Sequence, residues 1–479
     1  MTAATAHIGP QDDRIEQLFQ RQRAKRAAVR ATTAAQRIEK LQRLRSAILE
    51  RQDAIRAALH QDFRKSAAEV DLTEIYPALV ELKRAVKSLR GWMKPHRVTT
   101  PLALFGTTSA VHYEPRGVVL IIGAWNYPLH LVIVPLIAAI AAGNCAIVKP
   151  SELTPATSAL ATELLGAVFS EDEVAVVEGG PEATQQLLAL PFDHFFFTGS
   201  AKVGRIVAEA AARHLASTTL ELGGKSPAVV DDSADLAQAA KRIVWGKFVN
   251  GGQTCIAPDY VLVSQGRKQE LIEHLSNAIA DQYGDNEQAR RSSPDLCRVI
   301  NQRNYDRLKR MLDDTVSAGA RIELGGTTEP SERYIAPTVL SDVSPEAPIM
   351  ADEIFGPILP VLTYKSLDEV VPFISAREKP LALYVFGSDR QRVDAIIEGT
   401  SAGGTCVNNA MIHFGNTYLP FGGVGPSGLG NYHGFYGFKA FSHERAVLRQ
   451  GPFATIKMIY PPYTPRVKRV INWMFKLFT

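Results

Sequence analysis

Cysteine is scarce in this chain. Four are spread over 479 residues (Cys145, Cys255, Cys297 and Cys406), with no CxxC pair and no histidine at metal-ligand spacing. That excludes a disulfide framework and a zinc site, leaves no metal to expect, and suits a reducing, cytoplasmic compartment. Charge of one sign is also lacking. Lysine and arginine number 53 against 49 acidic residues, a net of +4. The basic residues between Arg14 and Lys65 are interleaved with acidic and apolar ones, so they read as solvated helix faces and not as a nucleic-acid surface. The start, MTAATAHIGPQDD, has no basic region followed by an apolar run, and no signal peptide is expected. One stretch, Val118 to Val148, carries no Asp, Glu, Lys or Arg and exceeds the roughly 18 apolar residues of a membrane span. Gly123, Asn126, Pro128, Pro135 and Gly143 interrupt it. A strand, a turn, an Ala-rich helix and a second strand fit better, which makes it a buried βαβ unit.

What is present is a strand–helix rhythm. The length implies two or three domains, and a composition that is 46% hydrophobic and 21% charged is that of a globular chain. Residues 12–92 read as helices. Residues 97–115, rich in Thr and Val around a glycine turn, read as a hairpin. Candidate strands follow at 118–124, 145–150, 174–180, 194–199 and 218–224, with helices over 158–169 and 202–215. Such alternation predicts an α/β fold with an open parallel sheet covered on both faces. A second alternating region runs from about 225 to 430 and includes DYVLVS, a helix from Arg267 to about Tyr283, ALYVFGSD and GGTCVNN. There is no internal repeat.

Four local patterns carry chemistry, each with a plainer alternative. In GSAKVG, Gly199 to Gly204, a glycine turn opens a helix after a strand. It offers N–H groups to a pyrophosphate, or is simply a closely packed βα turn. In KPSE, Lys149 and Glu152 follow a strand end, where open α/β sheets bind ligands and ribose hydroxyls can be held. Alternatively Ser151 caps a helix whose first turn contains Glu152. In ELGGKSP, Glu221 ends a strand and can act as a general base if burial raises its pKa, or sits there in a salt bridge. In NGGQTCIAP, residues 250–258, Cys255 lies in a setting that reads as exposed and flexible, and Gly251 and Gly252 let backbone approach a substrate. Cys145 reads as strand core, Cys406 as buried near a strand end, and Cys297 as helix packing.

Together and in order, WNYP, KPSE, FTGS, ELGGKSP, GQTC, EIFGP and PFGGVGPSG resemble the aldehyde dehydrogenase superfamily across nearly the whole chain. The stretch NAMIHFGNTYLPFGGVGPSGLGNYHG, with His413 and Phe414, and the later YPPYT are similar to its class 3 branch of fatty and aromatic aldehyde dehydrogenases. The resemblance implies a Rossmann-like cofactor domain (1–96 and 117–222), a second α/β catalytic domain (223–430), bridging or oligomerisation segments (97–116 and 431–460) and a tail (461–479). It implies Cys255 as nucleophile, Glu221 as general base and Asn126 as donor to the oxyanion. Lys149 and Glu152 match adenosine-ribose contacts, and Gly199, Ser200 and Gly204 the pyrophosphate turn. Glu353 matches the nicotinamide-ribose ligand, and Phe355 packs near the nicotinamide. Glu152 would repel a 2′-phosphate unless it swings away, so NAD is expected, with NADP accepted in many class 3 members. Glu221 argues for hydrolysis of the thioester over transfer to CoA.

The expected reaction is NAD(P)-dependent oxidation of an apolar aldehyde to its acid, with medium- or long-chain aliphatic aldehydes first and aromatic or isoprenoid aldehydes (coniferyl, retinal or apocarotenal types) as the alternative. Other classes are a cofactor-independent thiol esterase and a binding protein on a retired scaffold; intact Cys255, Glu221 and Asn126 oppose the latter. The tail RVKRVINWMFKLFT is too short to span a bilayer. Its Arg466, Lys468, Arg469 and Lys476 beside Trp473 and Phe475 suit an interfacial helix; the resemblance to fatty aldehyde dehydrogenases implies instead a gate over the substrate funnel, and a dimer contact or a disordered tail are the other readings. The class 3 resemblance implies a homodimer.

Overall fold

A computed structural model describes residues 10–452 and 459–478. The first nine residues, 453–458 of the bridging segment, Thr479, and the side chains at positions 10–12, 103, 474, 477 and 478 lie outside that description.

The helices Pro10–Arg30, Ala34–Glu50, Gln52–Phe63 and Tyr76–Trp92 come first. Thr33 starts the second with a capping box shared with Gln36, satisfying two of the free N–H groups of a helix start. The run without charge resolves into the strand Val118–Ile122, the helix His130–Ala142 and the strand Cys145–Lys149. Both strands are buried at every position, so apolar residues on both faces cost nothing in exposure. In space the parallel strands lie in the order Ser217–Glu221, His194–Thr198, Val118–Ile122, Cys145–Lys149, Val174–Val176. The chain winds outward from Val118–Ile122 in one direction, then returns to its other side. The switch point falls where Gly123 and Thr198 leave adjacent strands, the place where open α/β sheets bind ligands.

A second sheet has seven strands. Its parallel members lie in the order Thr338–Ser341, Ile358–Tyr364, Tyr260–Ser264, Pro227–Val230, Ala382–Phe386, Gly404–Val407, and Arg321–Leu324 adds antiparallel at the first edge. The strand pair Gly428–Leu429 crosses to the first sheet, where Gly428 sits opposite Glu221.

A third, antiparallel sheet joins His96–Val98 and Thr107–Pro115 to Ser442–Gln450. The hairpin reading of 97–115 captured two of its strands. The third pairs Ser442 with Pro115 and continues in register to Gln450 with Thr107. Among the described residues no helix is long and apolar enough to cross a membrane.

Candidate active site

The carboxyl edge of the first sheet carries the polar groups of the cofactor-type motifs. Lys149 ends its strand almost fully buried, and its Nζ donates to Glu152 Oε2 at 2.7 Å. The helix-cap alternative for KPSE is excluded, because that helix begins at Pro155 after Thr154. Ser151 and Glu152 lie in the turn before it, where Ser151 Oγ accepts from the Leu153 N–H. Two strands over, Ser200 caps the helix Ala201–Arg213 by accepting from the Val203 N–H, leaving first-turn N–H groups open to an anion. Gly204 lies against Leu222, where a Cβ would stand 2.7 Å from its Cδ2. The Gly199 N–H donates to the Glu221 carbonyl at 3.0 Å, tying this turn to the Glu221 strand.

Cys255 lies in a locked loop, which corrects the exposed, flexible setting expected from its glycines. Asn250, Gly251 and Gly252 have φ of 56°, 60° and 74° and are buried. Three left-handed residues in succession need glycine for most of the turn. A Cβ on Gly252 would lie 2.3 Å from the Gly356 carbonyl oxygen, and one on Gly251 would lie 3.1 Å from Cys297 Sγ. The glycines therefore admit protein backbone and a neighbouring sulfur, not substrate. Cys297 sits beneath this loop in irregular backbone and not in a helix, because Arg298 donates its N–H to the Phe63 carbonyl instead. Gln253, fully buried, donates to the Asn250 and Arg298 carbonyls and accepts from the Ile300 N–H.

The WNYP turn lies against this loop. Asn126 Nδ2 donates to the Gln253 carbonyl at 3.1 Å, which uses one N–H of the amide and leaves the other. Tyr127 shares a 2.6 Å hydrogen bond with Thr254 Oγ1. Lys65 Nζ lies 4.1 Å from the Tyr127 ring centroid and pairs with Glu74 at 3.2 Å, both side chains fully buried. Glu74 in turn accepts the His130 N–H. Trp125 meets Phe355 edge-on at 5.3 Å, so the EIFGP turn closes against the same place.

Burial sets the electrostatics. Glu221 is almost fully buried, and among the described residues neither carboxylate oxygen has a hydrogen-bond partner. The salt-bridge alternative for Glu221 is thus excluded, and desolvation holds its carboxyl well above the ordinary range. Glu353 is pushed up to about 8 by burial and then by Asp259. Its Oε2 lies where a Cβ on Gly223 would be, 2.0 Å away in that hypothetical geometry. Burial raises the Cys255 thiol, and the charges of Glu353 and Glu221 add to this, while the N–H groups of Cys255 and Ile256 oppose it. The three groups therefore lie within reach of one another's charge. A neutral thiol and a proton-hungry carboxylate are suited to nucleophile and base work that begins when a substrate arrives.

Several residues gave no sequence signal beyond their type. Lys247 is fully buried, 3.8 Å from Asp259, and burial pulls its amine down to about 8. Lys225 of ELGGKSP binds Asp259 and the Ile349 and Asp352 carbonyls, fastening the EIFGP turn. A cavity of about 180 Å³ is lined mainly by Leu72, Tyr76, Trp245, Met411, Ile412 and Phe414, with Glu81 and His433 among its polar members. Trp245, Phe414 and Cys255 pack on one apolar cluster. Tyr432, whose hydroxyl is raised by burial and then by Glu221 and Cys255, stands 4.3 Å from the His433 ring. His433 Nδ1 is 2.9 Å from Glu81 Oε1.

A doubly wound sheet with a buried lysine and a glycine turn opening a helix at its carboxyl edge, near a cysteine and an unpartnered carboxylate, has the arrangement of an NAD(P)-type oxidoreductase. The aldehyde dehydrogenase family model matches residues 4–447, and the chain belongs to that family. It is similar to aldehyde dehydrogenase family 3 member B1 of Rattus norvegicus, 46% identical over 96% of this chain and 97% of that one. It is also similar to 4,4'-diaponeurosporen-aldehyde dehydrogenase of Staphylococcus aureus, 46% identical over 91% and 93%. The solved substrate-bound state of Staphylococcus aureus AldH superposes with a TM-score of 0.92 at 44% identity, covering 96% and 99%. The fold is the aldehyde dehydrogenase fold, and the protein is an NAD(P)-dependent enzyme that oxidises an aldehyde to the acid.

Proposed function

We propose that Cys255 is the nucleophile, Glu221 the general base and Asn126 the oxyanion donor in oxidation of a long apolar aldehyde. The observation that carries the substrate class is the apolar cavity whose Trp245, Met411 and Phe414 belong to the same hydrophobic cluster as Cys255. Its exposed rim extends the apolar surface outward, with Tyr76 63% and Ile412 51% exposed. The Cys255 thiol gives up its proton to water, and its sulfur adds to the aldehyde carbonyl carbon. The second N–H of Asn126 and the Cys255 N–H receive the oxyanion, each such donor being worth about 3–4 kcal/mol. NAD(P), when bound, supplies the hydride acceptor. Glu221, unpaired and buried, takes the proton of the water that cleaves the Cys255 thioester. Lys149 and Glu152 suit ribose hydroxyls, Gly199, Ser200 and Gly204 the pyrophosphate, and Glu353 and Phe355 the nicotinamide end. A Glu152 carboxylate already paired with Lys149 favours NAD; its side chain is 41% exposed, free enough to turn aside for NADP.

Saturated chains are the first reading. A second, isoprenoid or aromatic aldehydes, is favoured by the Tyr76, Trp245 and Phe414 rings on the cavity and by the similarity to an enzyme named for a diaponeurosporen aldehyde. NADH formation across saturated, aromatic and polyene aldehydes, with NAD and NADP in parallel, separates them. Efficiency climbing with saturated length supports the first reading, a polyene optimum the second, and preference for short polar aldehydes refutes both.

We also infer a cytoplasmic homodimer with peripheral membrane contact. Support comes from the exposed edge strand Ser442–Gln450 and from the helix Pro465–Phe478, whose Trp473 and Phe475 are exposed beside basic residues. Light scattering tests the dimer. Flotation on anionic vesicles, with and without residues 461–479, tests the membrane contact; equal flotation of both would remove the helix from that role.

A further inference from the structure

We propose that Glu69 is a positioning residue that aims the Asn126 amide and holds the nucleophile loop, a role that rests on the reading of Asn126 as oxyanion donor. Glu69 lies in the short helix Ala67–Val70, far from Cys255 in sequence. Its Oε1 accepts the backbone N–H of Asn250 at 2.9 Å. Asn250 is the non-glycine member of the left-handed run, with φ of 56°, a conformation that has to be held by its surroundings.

The Asn250 amide spreads the hold. Its Nδ2 donates to the Asn126 carbonyl at 2.9 Å and to the Gln253 carbonyl at 3.0 Å. The reverse orientation would aim an oxygen at two carbonyls, so the amide direction is settled by its acceptors. The Gln253 carbonyl also accepts from Asn126 Nδ2. One carboxylate oxygen thus fixes Asn250, Asn250 fixes the backbone of Asn126 and of Gln253, and Gln253 in turn anchors the Asn126 side chain two residues before Cys255. Without the Glu69 acceptor, the Asn250 N–H is left in a buried place with nothing to bond, and the left-handed residue can relax and carry both loops with it. A shift of about 1 Å in such a donor is enough to cost about 100-fold in rate.

The test is a double-mutant cycle on the full-length enzyme. Asn126→Ala alone is expected to lower kcat by about 10²–10³-fold. Glu69→Ala is expected to lower kcat about tenfold or more in the native background and less than about twofold in the Asn126→Ala background, because the two act as a unit. The KM for NAD is expected to hold, since Glu69 touches none of the cofactor-edge residues, and Glu69→Gln, which keeps an acceptor oxygen, is expected to restore most of kcat. Should Glu69→Ala fail to fold, Glu69→Met fills the space without an acceptor and enters the same cycle. An unchanged kcat in Asn126→Ala overturns the oxyanion reading and this role with it. A slow Asn126→Ala together with an equal Glu69 effect in both backgrounds overturns the role of Glu69 alone.

Discussion

Replacing Gly252 by alanine tests whether the loop carrying Cys255 is locked by backbone contact. The added Cβ would stand 2.3 Å from the Gly356 oxygen, 2.5 Å from its carbonyl carbon and 3.0 Å from the Lys247 oxygen, at φ of 74°. The left-handed backbone alone costs alanine about 1–2 kcal/mol. The Cβ meets main chain and not a side chain that can rotate, so the EIFGP turn or the cysteine loop has to move, for about another 1–3 kcal/mol. The sum is about 2–5 kcal/mol. Two other glycines separate the contributions. Gly319 has φ of 105° with nothing within 4 Å of an added Cβ, so its alanine variant is expected to show the backbone cost alone. Gly266 has neither a left-handed φ nor a neighbour, and Gly266→Ala is expected to be neutral or stabilising by up to about 1 kcal/mol. Urea unfolding of the three variants, with kcat alongside, gives the ladder. Gly252→Ala alone is expected to lose activity at a temperature where it remains folded. If its urea midpoint and kcat match those of the native enzyme, the claim that this loop is seated on Gly356 is wrong.

Cys255→Ala is expected to abolish aldehyde oxidation while leaving NAD binding, measured by fluorescence quenching, in place; substantial residual turnover would remove Cys255 from its role. Glu221→Gln is expected to leave a burst of NADH followed by a slow steady state, because the thioester forms and then waits for water. The same variant tests the stability linkage. A carboxyl whose folded pKa is raised destabilises the fold progressively as pH rises above its unfolded value, near 4.5. Glu221→Gln is therefore expected to raise the melting temperature at pH 7 and to match the native enzyme below about pH 4, and a lower melting temperature at pH 7 would contradict an unpartnered Glu221. Trp245→Ala, which removes an indole from the cavity wall, is expected to shift relative kcat/KM toward bulkier aldehydes by roughly tenfold; unchanged selectivity would place substrate elsewhere.

The parts of this enzyme legible from sequence are those whose cause is local. Apolar strand runs, glycine turns and proline breaks reveal the first sheet, because burial on both faces and fixed φ act on neighbours in the chain. The strand Ser442–Gln450 was not readable, since His443, Glu444 and Arg445 carry no apolar alternation and its pairing is decided by Thr107–Pro115, over 300 residues away. The same limit explains the site. Cys255 and Glu221 announce themselves by motif, yet the state of each is a property of distant groups. Gly251 and Gly252 suggest mobility when read alone and produce rigidity once Gly356 and Cys297 occupy the space their missing side chains leave. Ser151 looks like a helix cap until the chain places the helix start at Pro155, where the two oxygens of Asp62 accept the N–H groups of Ala156 and Thr157. Glu69 has no motif because it works on backbone brought to it by folding. A sequence reading can therefore name candidate reactive atoms. What raises a thiol and leaves a carboxylate unpaired is burial, and what aims an amide is backbone held from far along the chain, in part by Glu69 of the N-terminal helical region, which carries none of the motifs.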